Sequence, residues 1–250
     1  DRKYLDQAKF FLDARGYTGR KDAYSQAHKP VIEQDEAVGH AVRAVYMYSG
    51  MADVAAITGD SSYIKAIDRI WDNIVSKKMY ITGGIGARHQ GEAFGDNYEL
   101  PNHPNPLASD GGYSRKPWFG CACCPSNISR FIPSLPGYVY AVKDRQVYVN
   151  LFLSNRAELK VNDKKVVLEQ ETSYPWKGDI RLKVLQGNQP FGMNVRIPGW
   201  VRGSVLPSDL YAYADHQQPA YRVMVNGQEV EGELHNGYLT IDRKWKKNDV

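Results

Sequence analysis

The sequence predicts an α+β, multidomain chain: helices and long loops over residues 1–136, then an antiparallel β-sandwich over 137–250. Three observations carry that division. Apolar residues recur at helical spacing in the first part, a glycine-rich stretch follows, and after Gly137 the apolar period switches to two. With 42% apolar residues in 250, the chain can bury the core of one large domain or two modest ones.

Taken in order, residues 4–15 put Leu5, Ala8, Phe11 and Leu12 on one helical face, and Gly16 is placed to end it. Residues 16–30 are polar and glycine-containing up to Pro30 and read as a loop. Residues 34–57 form a long helical stretch, apolar around most of its circumference, which predicts burial on several sides. Gly59 closes it and Asp60 or Ser61 opens the next helix, where Ile64, Ile67, Ile70, Trp71 and Ile74 make one stripe. Two antiparallel helices joined by a short turn are the repeat unit of an all-α barrel or solenoid. Residues 80–106 hold Gly83, Gly84, Gly86, Gly91 and Gly95 among charged and aromatic neighbours, the composition of a loop on a helical scaffold, where sites are built. A short helix is expected at 127–135. Strands are expected at 138–142 and 147–153 around a Lys-Asp-Arg turn, then at 157–161, 166–169, 180–184, 193–197, 221–225 and 238–241. Asn226-Gly227 stands in hairpin position.

The charges, 32 basic and 28 acidic for a net +4, are well mixed and leave no basic stripe for nucleic acid. No apolar run has transmembrane length and nothing resembles a signal peptide. The chain begins at Asp1 inside a helical pattern and ends at Val250 where a strand is about to start, so it reads as an excerpt of a longer protein and its lack of targeting signals carries little weight. The 17 Tyr and 5 Trp offer flat faces with polar edges, suited to sugars as well as to packing.

All 3 cysteines, Cys121, Cys123 and Cys124, fall within Phe119-Gly-Cys-Ala-Cys-Cys-Pro-Ser-Asn127. A disulfide between the neighbours Cys123 and Cys124 would depart from ordinary bridge geometry. Two thiolates converging on a soft cation, one of them reactive, is the better chemical account; a small buried apolar cluster is the plainer one. Glu92 stands among glycine, small and aromatic neighbours, where partial desolvation would raise its carboxyl toward the range of a proton donor. On composition alone a solvated loop glutamate is the commoner case. For His40, on an apolar helix, a hydrogen-bonded core histidine is commoner than a ligand facing a cavity.

Three stretches in this order, Glu36-Ala-Val-Gly-His-Ala-Val-Arg43, Thr82-Gly-Gly-Ile-Gly86 with Gly91-Glu-Ala-Phe94, and Cys123-Cys-Pro-Ser-Asn127, resemble the bacterial β-L-arabinofuranosidases of glycoside hydrolase family 127 and close relatives. The resemblance runs through nearly the whole chain. It implies an (α/α)6-barrel catalytic domain, present here in part, followed by β-sandwich domains. It also implies a retaining glycosidase acting on an arabinofuranoside-containing glycan, with a zinc-bound cysteine as nucleophile. Carried over by position, Cys123 is the nucleophile and a zinc ligand, Cys124 a second zinc ligand, Glu92 the acid/base and His40 a substrate contact. One departure stands out. The family carries a Glu-Thr-Cys segment that supplies a glutamate and a cysteine to the zinc, whereas here Leu100-Pro-Asn102 runs through His103 straight into Pro104-Asn-Pro-Leu107. Cys121, Glu99 and His103 are the remaining candidate ligands. Two other readings compete: a non-catalytic carbohydrate-binding module whose aromatics include Trp176, Trp200 and Trp245, and a zinc scaffold with structural cysteines. Glu92 discriminates, because a scaffold needs no acid near its thiols. Few cysteines lean against a disulfide-stapled secreted domain, which leaves bacterial cytoplasm and periplasm both open.

Overall fold

The computed structural model describes residues 1–17, 19, 21–101, 123–215, 220–232 and 234–250, with Cys124 described in its backbone alone. The chain divides into two compact units, Asp1–Pro117 with Ser204–Ala214, and Trp118–Gly203 with Asp215–Val250. Among the described residues no helix is long and apolar enough to cross a membrane.

The first unit is helical. Helix α1 (Arg2–Ala14) is capped by the Asp1 carboxylate, which accepts from the Lys3 amide at 3.0 Å. Helix α2 (Ala41–Thr58) ends at Gly59, whose left-handed φ of 76° lets its N–H close on Ala55. Asp60 then caps α3 (Ser61–Asn73), and a π-helical turn, Ile74–Lys78, follows. The core forms where Ala44, Tyr48, Met51 and Val54 of α2 meet Tyr63, Ala66 and Ile70 of α3, with Val31 and Phe94 added from the loops. Within residues 204–214, Ser208 Oγ donates to the Val75 carbonyl at 2.7 Å and the Tyr211 hydroxyl to that of Met79 at 3.1 Å.

Three helical expectations need correction. Helix α2 begins at Ala41, not at 34, because residues 34–40 spend their backbone groups elsewhere. Gly39 has φ +69° and lies so close to the Ala23 and Tyr24 carbonyls that a Cβ there would sit 2.3 Å from oxygen. The Ala37 N–H donates to Asn73 Oδ1 at 3.0 Å, and buried Gln34 donates to the carbonyls of Gln26 and Lys29. Second, α2 is buried on one side only: Val42, Val45, Tyr46 and Ile57 are exposed in this chain. Third, α3 buries Tyr63, Ala66, Ile70 and Asn73, so Ile64 and Trp71, two turns apart on the neighbouring face, point to solvent at 41% and 51% exposure.

The second unit opens with α4 (Cys123–Ser134) and the one-turn α5 (Pro136–Val139), then becomes β structure. Strands β1 (Tyr140–Lys143), β2 (Gln146–Val149), β6 (Gln189–Arg196), β10 (Tyr238–Trp245) and β9 (Leu234–His235) make one sheet in the order β1-β2-β6-β10-β9. Strands β3 (Asn155–Val161), β4 (Lys164–Thr172) and β5 (Ile180–Gln186) make a second, and β7 (Met224–Val225) with β8 (Gln228–Glu229) a small ribbon. One core takes Val147, Val149, Phe191, Met193, Ile241 and Trp245 from the first sheet and Val161, Val166, Leu168 and Val184 from the second. Alternation explains it: in β2 the two inward valines, Val147 and Val149, are both fully buried. The pairs are antiparallel except β2 with β6, which is parallel. That departure from the all-antiparallel expectation has a simple cause. After β2 the chain leaves to build β3, β4 and β5, and this excursion is the long crossover that a parallel pair requires. The strand expected at 221–225 shrinks to Met224–Val225, joined to β8 through Asn226 and Gly227, both at positive φ as a type I′ hairpin needs.

Candidate active site

The first unit brings two of the singled-out residues together. His40 Nε2 lies 3.1 Å from Glu92 Oε2, although the two are far apart in sequence. Backbone pairing makes the meeting. Arg88 and Ala93 exchange main-chain hydrogen bonds at 3.0 and 3.2 Å, closing a tight loop around residues 89–92. The Phe94 N–H donates to the Gly39 carbonyl at 2.8 Å, which lays this loop beside His40 as an antiparallel bridge to Ala93. Within the loop Gly91 and Glu92 both take positive φ, 78° and 48°, so the chain doubles back and presents the carboxyl toward the imidazole.

The imidazole is fixed from its other side too. His40 is the N-cap of α2, not a residue on its apolar face as expected, and its Nδ1 accepts from the Arg43 N–H at 3.3 Å. Its own N–H donates to the Tyr24 carbonyl at 3.0 Å. The Tyr24 ring meets the His40 ring edge-on at 6.0 Å, carries the Arg43 guanidinium over its face at 4.6 Å, and leaves only 3.1 Å for a Cβ on Gly91. Gly86 packs on Ala41 at the start of α2, so Gly86 and Gly91 serve close approach.

Glu92 is 62% exposed at its side chain in this chain, the solvated one of the two readings its neighbours allowed; small residues let backbone approach but cover no carboxyl. Glu99 is also committed elsewhere. Arg88 grips it as a fork, Nε and Nη2 at 3.1 and 2.7 Å, and the Asp96 N–H donates to it at 2.7 Å. The Arg88 hydrogen bond, then that of the Asp96 amide, hold its carboxyl down at about 2. A carboxylate so satisfied is a poor candidate for the zinc shell.

Cys123 is the first residue of α4 and is exposed. Ser126 Oγ donates to its carbonyl at 3.0 Å in the first turn. The Cys124 side chain, Cys121 and His103 lie outside the described residues, as does the Pro104-Asn-Pro-Leu107 junction. A cysteine at the start of a helix has the donor chemistry a soft divalent metal prefers. Among the described residues, however, no group of three or more His, Cys, Asp or Glu side chains converges as a metal shell.

Sequence reasoning missed the residues that hold this site in place. Lys78, almost fully buried on the π-helical turn, donates to Glu36 and to the Ala37 carbonyl, both at 2.8 Å. Gln26 donates to the Tyr24 and Val38 carbonyls at 3.0 and 2.9 Å. Their available signal was slight: Gln26 lies in a polar stretch and Lys78 follows Ser76 and Lys77, so neither stands out from its neighbours.

Comparison with known proteins adds independent findings. Residues 1–105 match the family profile described as the β-L-arabinofuranosidase GH127 catalytic domain, and residues 146–250 match that of the GH127 middle domain. A non-reducing end β-L-arabinofuranosidase of Bifidobacterium longum subsp. longum is 28% identical over 334 aligned residues, covering 96% of this chain and 48% of the relative. That alignment is longer than the chain, so the relative carries residues with no counterpart here. The solved structure of a GH127 β-arabinofuranosidase superposes on all of this chain with TM-score 0.93 and 67% identity, the chain covering 48% of it. A GH127 β-L-arabinofuranosidase from Geobacillus stearothermophilus T6 superposes with TM-score 0.82 at 29% identity, covering 100% of this chain and 50% of that one. The chain thus spans about half the length of the relatives it matches.

Proposed function

The chain belongs to glycoside hydrolase family 127, and on that premise we propose that it is part of a retaining glycosidase that releases L-arabinofuranose or a related sugar from a glycan. In this reading residues 1–136 contribute to an (α/α)6 catalytic barrel and residues 137–250 form a β-sandwich. Glu92 is the acid/base, Cys123 the nucleophile, and Cys123 with Cys124 zinc ligands. The observation that supports it most is the Glu92 carboxyl held against His40 on a loop knitted to the start of α2.

The chemistry follows from retention, which needs a nucleophile on one face of the anomeric carbon and a proton donor serving the other. Cys123 Sγ attacks the anomeric carbon, the glycosidic C–O bond breaks, and Glu92 gives its proton to the departing oxygen. Glu92 then takes a proton from water, the water oxygen bonds to the anomeric carbon, and the C–S bond breaks. A thiol at neutral pH is mostly protonated; zinc, when bound, holds it as thiolate.

The test is leaving-group dependence in a family-length enzyme carrying these residues. Cys123→Ser is expected to be inactive on aryl and alkyl arabinofuranosides alike. Glu92→Gln is expected to lose about 10²–10⁴-fold on the alkyl glycoside and to keep part of its aryl activity, because a good leaving group departs without a proton. Equal losses on both substrates would remove Glu92 from its role. A second reading, a carbohydrate-binding surface without catalysis, is favoured by Trp176 at 89% exposure and by Trp200, 42% exposed, stacked on Tyr174 in the sheet unit. It predicts glycan binding that survives Cys123→Ser and fails on Trp176→Ala.

A further inference from the structure

We infer that His40 acts through Glu92: it is a positioning residue that orients the acid/base carboxyl by donating an Nε2–H hydrogen bond, its tautomer set by the capping of α2. This rests on the proposed role of Glu92 and replaces the substrate contact expected of His40.

The geometry leaves one assignment of the ring proton. A backbone N–H can only donate, so the Arg43 amide at 3.3 Å requires a lone pair on Nδ1. The proton then sits on Nε2, which faces Glu92 Oε2 at 3.1 Å. The ring is held by its surroundings. It is only 18% exposed, its own N–H is bonded to Tyr24, and Ala93 bridges to it on the strand side. The carboxylate it meets is 62% exposed and sits on a turn of two positive-φ residues, so the imidazole is the fixed partner and Glu92 the guided one. The Arg43 amide, in the first turn of α2, thereby makes Nε2 the donor that ties down Glu92 Oε2, leaving the other carboxyl oxygen for a substrate.

Two substitutions separate the ring's two bonds. Asparagine at an N-cap still accepts from the helix amide but cannot reach Glu92, whereas the glutamine amide reaches about as far as Nε2. On the chain itself, long-range ¹H–¹⁵N spectra, with His40 assigned by His40→Gln, are expected to show Nε2 protonated, Nδ1 bare, and an Nε2 resonance that moves on Glu92→Gln. A proton on Nδ1, or an Nε2 signal indifferent to Glu92→Gln, overturns the inference. In the family-length enzyme His40→Asn is expected to melt like the parent yet to lose about tenfold in kcat/KM on alkyl glycosides, a fraction of the 10²–10⁴-fold that acid/base catalysis supplies. The loss should be smaller on aryl glycosides, absent in a Glu92→Gln background, and largely recovered in His40→Gln. Losses that multiply with Glu92→Gln, or that fall equally on both substrate classes, would mean that His40 contacts the sugar directly. Should Glu92→Gln itself show no leaving-group dependence, the acid/base assignment fails, while the spectra still decide the His40–Glu92 bond.

Discussion

In the helical unit the buried polar side chains Gln26, Gln34, Asn73 and Lys78 all bond to the backbone of an irregular strip near residues 24–40, while Phe10, Phe11, Val45, Tyr46 and Trp71 stand exposed on its helices. In the sheet unit buried Gln170, Gln189 and Asn194 also bond to backbone, but there they add to a regular ladder, and one apolar core from Val147 to Trp245 joins two sheets. The difference teaches where each unit is vulnerable. A ladder repeats its hydrogen bonds, so losing one side-chain amide matters little beside losing core volume. An irregular strip has no repeat, and each buried amide is its sole support at that point.

The largest expected effect tests the sheet side. Phe191 is fully buried and packs on Trp245 at a ring distance of 5.9 Å. Phe191→Ala should cost about 3–5 kcal/mol in urea unfolding of the sheet signal. A cost under about 1 kcal/mol would break the comparison, since the ladder alone would then be holding the unit.

An intermediate effect tests the helical side. Asn73→Ala leaves the buried Ala37 N–H without its acceptor and removes the donor to Asn97. The expected cost is about 1–3 kcal/mol, with faster amide exchange at Ala37 and unchanged exchange in the strands. Exchange accelerating across α3 instead would place the damage in the helix and not in the strip.

The smallest effect concerns pH. Glu99 has its carboxyl lowered from 4.5 to about 2, chiefly by Arg88. A lowered carboxyl stabilises the fold above its unfolded value and loses that contribution as pH falls through the folded one, so the change should lie between about pH 4.5 and 2. Glu99 and Arg88 lie near the surface, so the expected shift is slight, and Arg88→Gln should flatten it. An acid transition identical in parent and variant would detach the Arg88 fork from the stability of this loop.

Legibility in the sequence followed the same division. Val147 and Val149, Leu239 and Ile241 alternate inward, and there a period of two survives reading because the ladder itself imposes it. The start of α2 did not survive reading. From Ala37 to Ala44 small and apolar residues are interrupted only by His40 and Arg43, and what stops the helix at His40 is supplied from outside the segment, by Asn73, by Gln34 and by the backbone of Ala23 and Tyr24 against Gly39. Glu92 and His40 were each recognisable from their motifs. Their contact was not, because it depends on the Ala93 bridge between two loops. Ile64 and Trp71 misled for a plainer reason, since a stripe at helical spacing states that a face is apolar without saying what covers it.

The parallel pairing of β2 with β6 also dictates an order of events on the ribosome. The β3–β4 ribbon closes through the two residues Asn162 and Asp163 as soon as both arms have emerged. β2 must wait for a partner roughly a fifth of the chain away, with Gln146 meeting Asn194 across 48 positions. At translation speeds of about 5–20 residues per second, one edge of β2 stands open on the order of seconds. An open strand edge is a template for other chains, and the nascent protein carries that exposure until β6 is made.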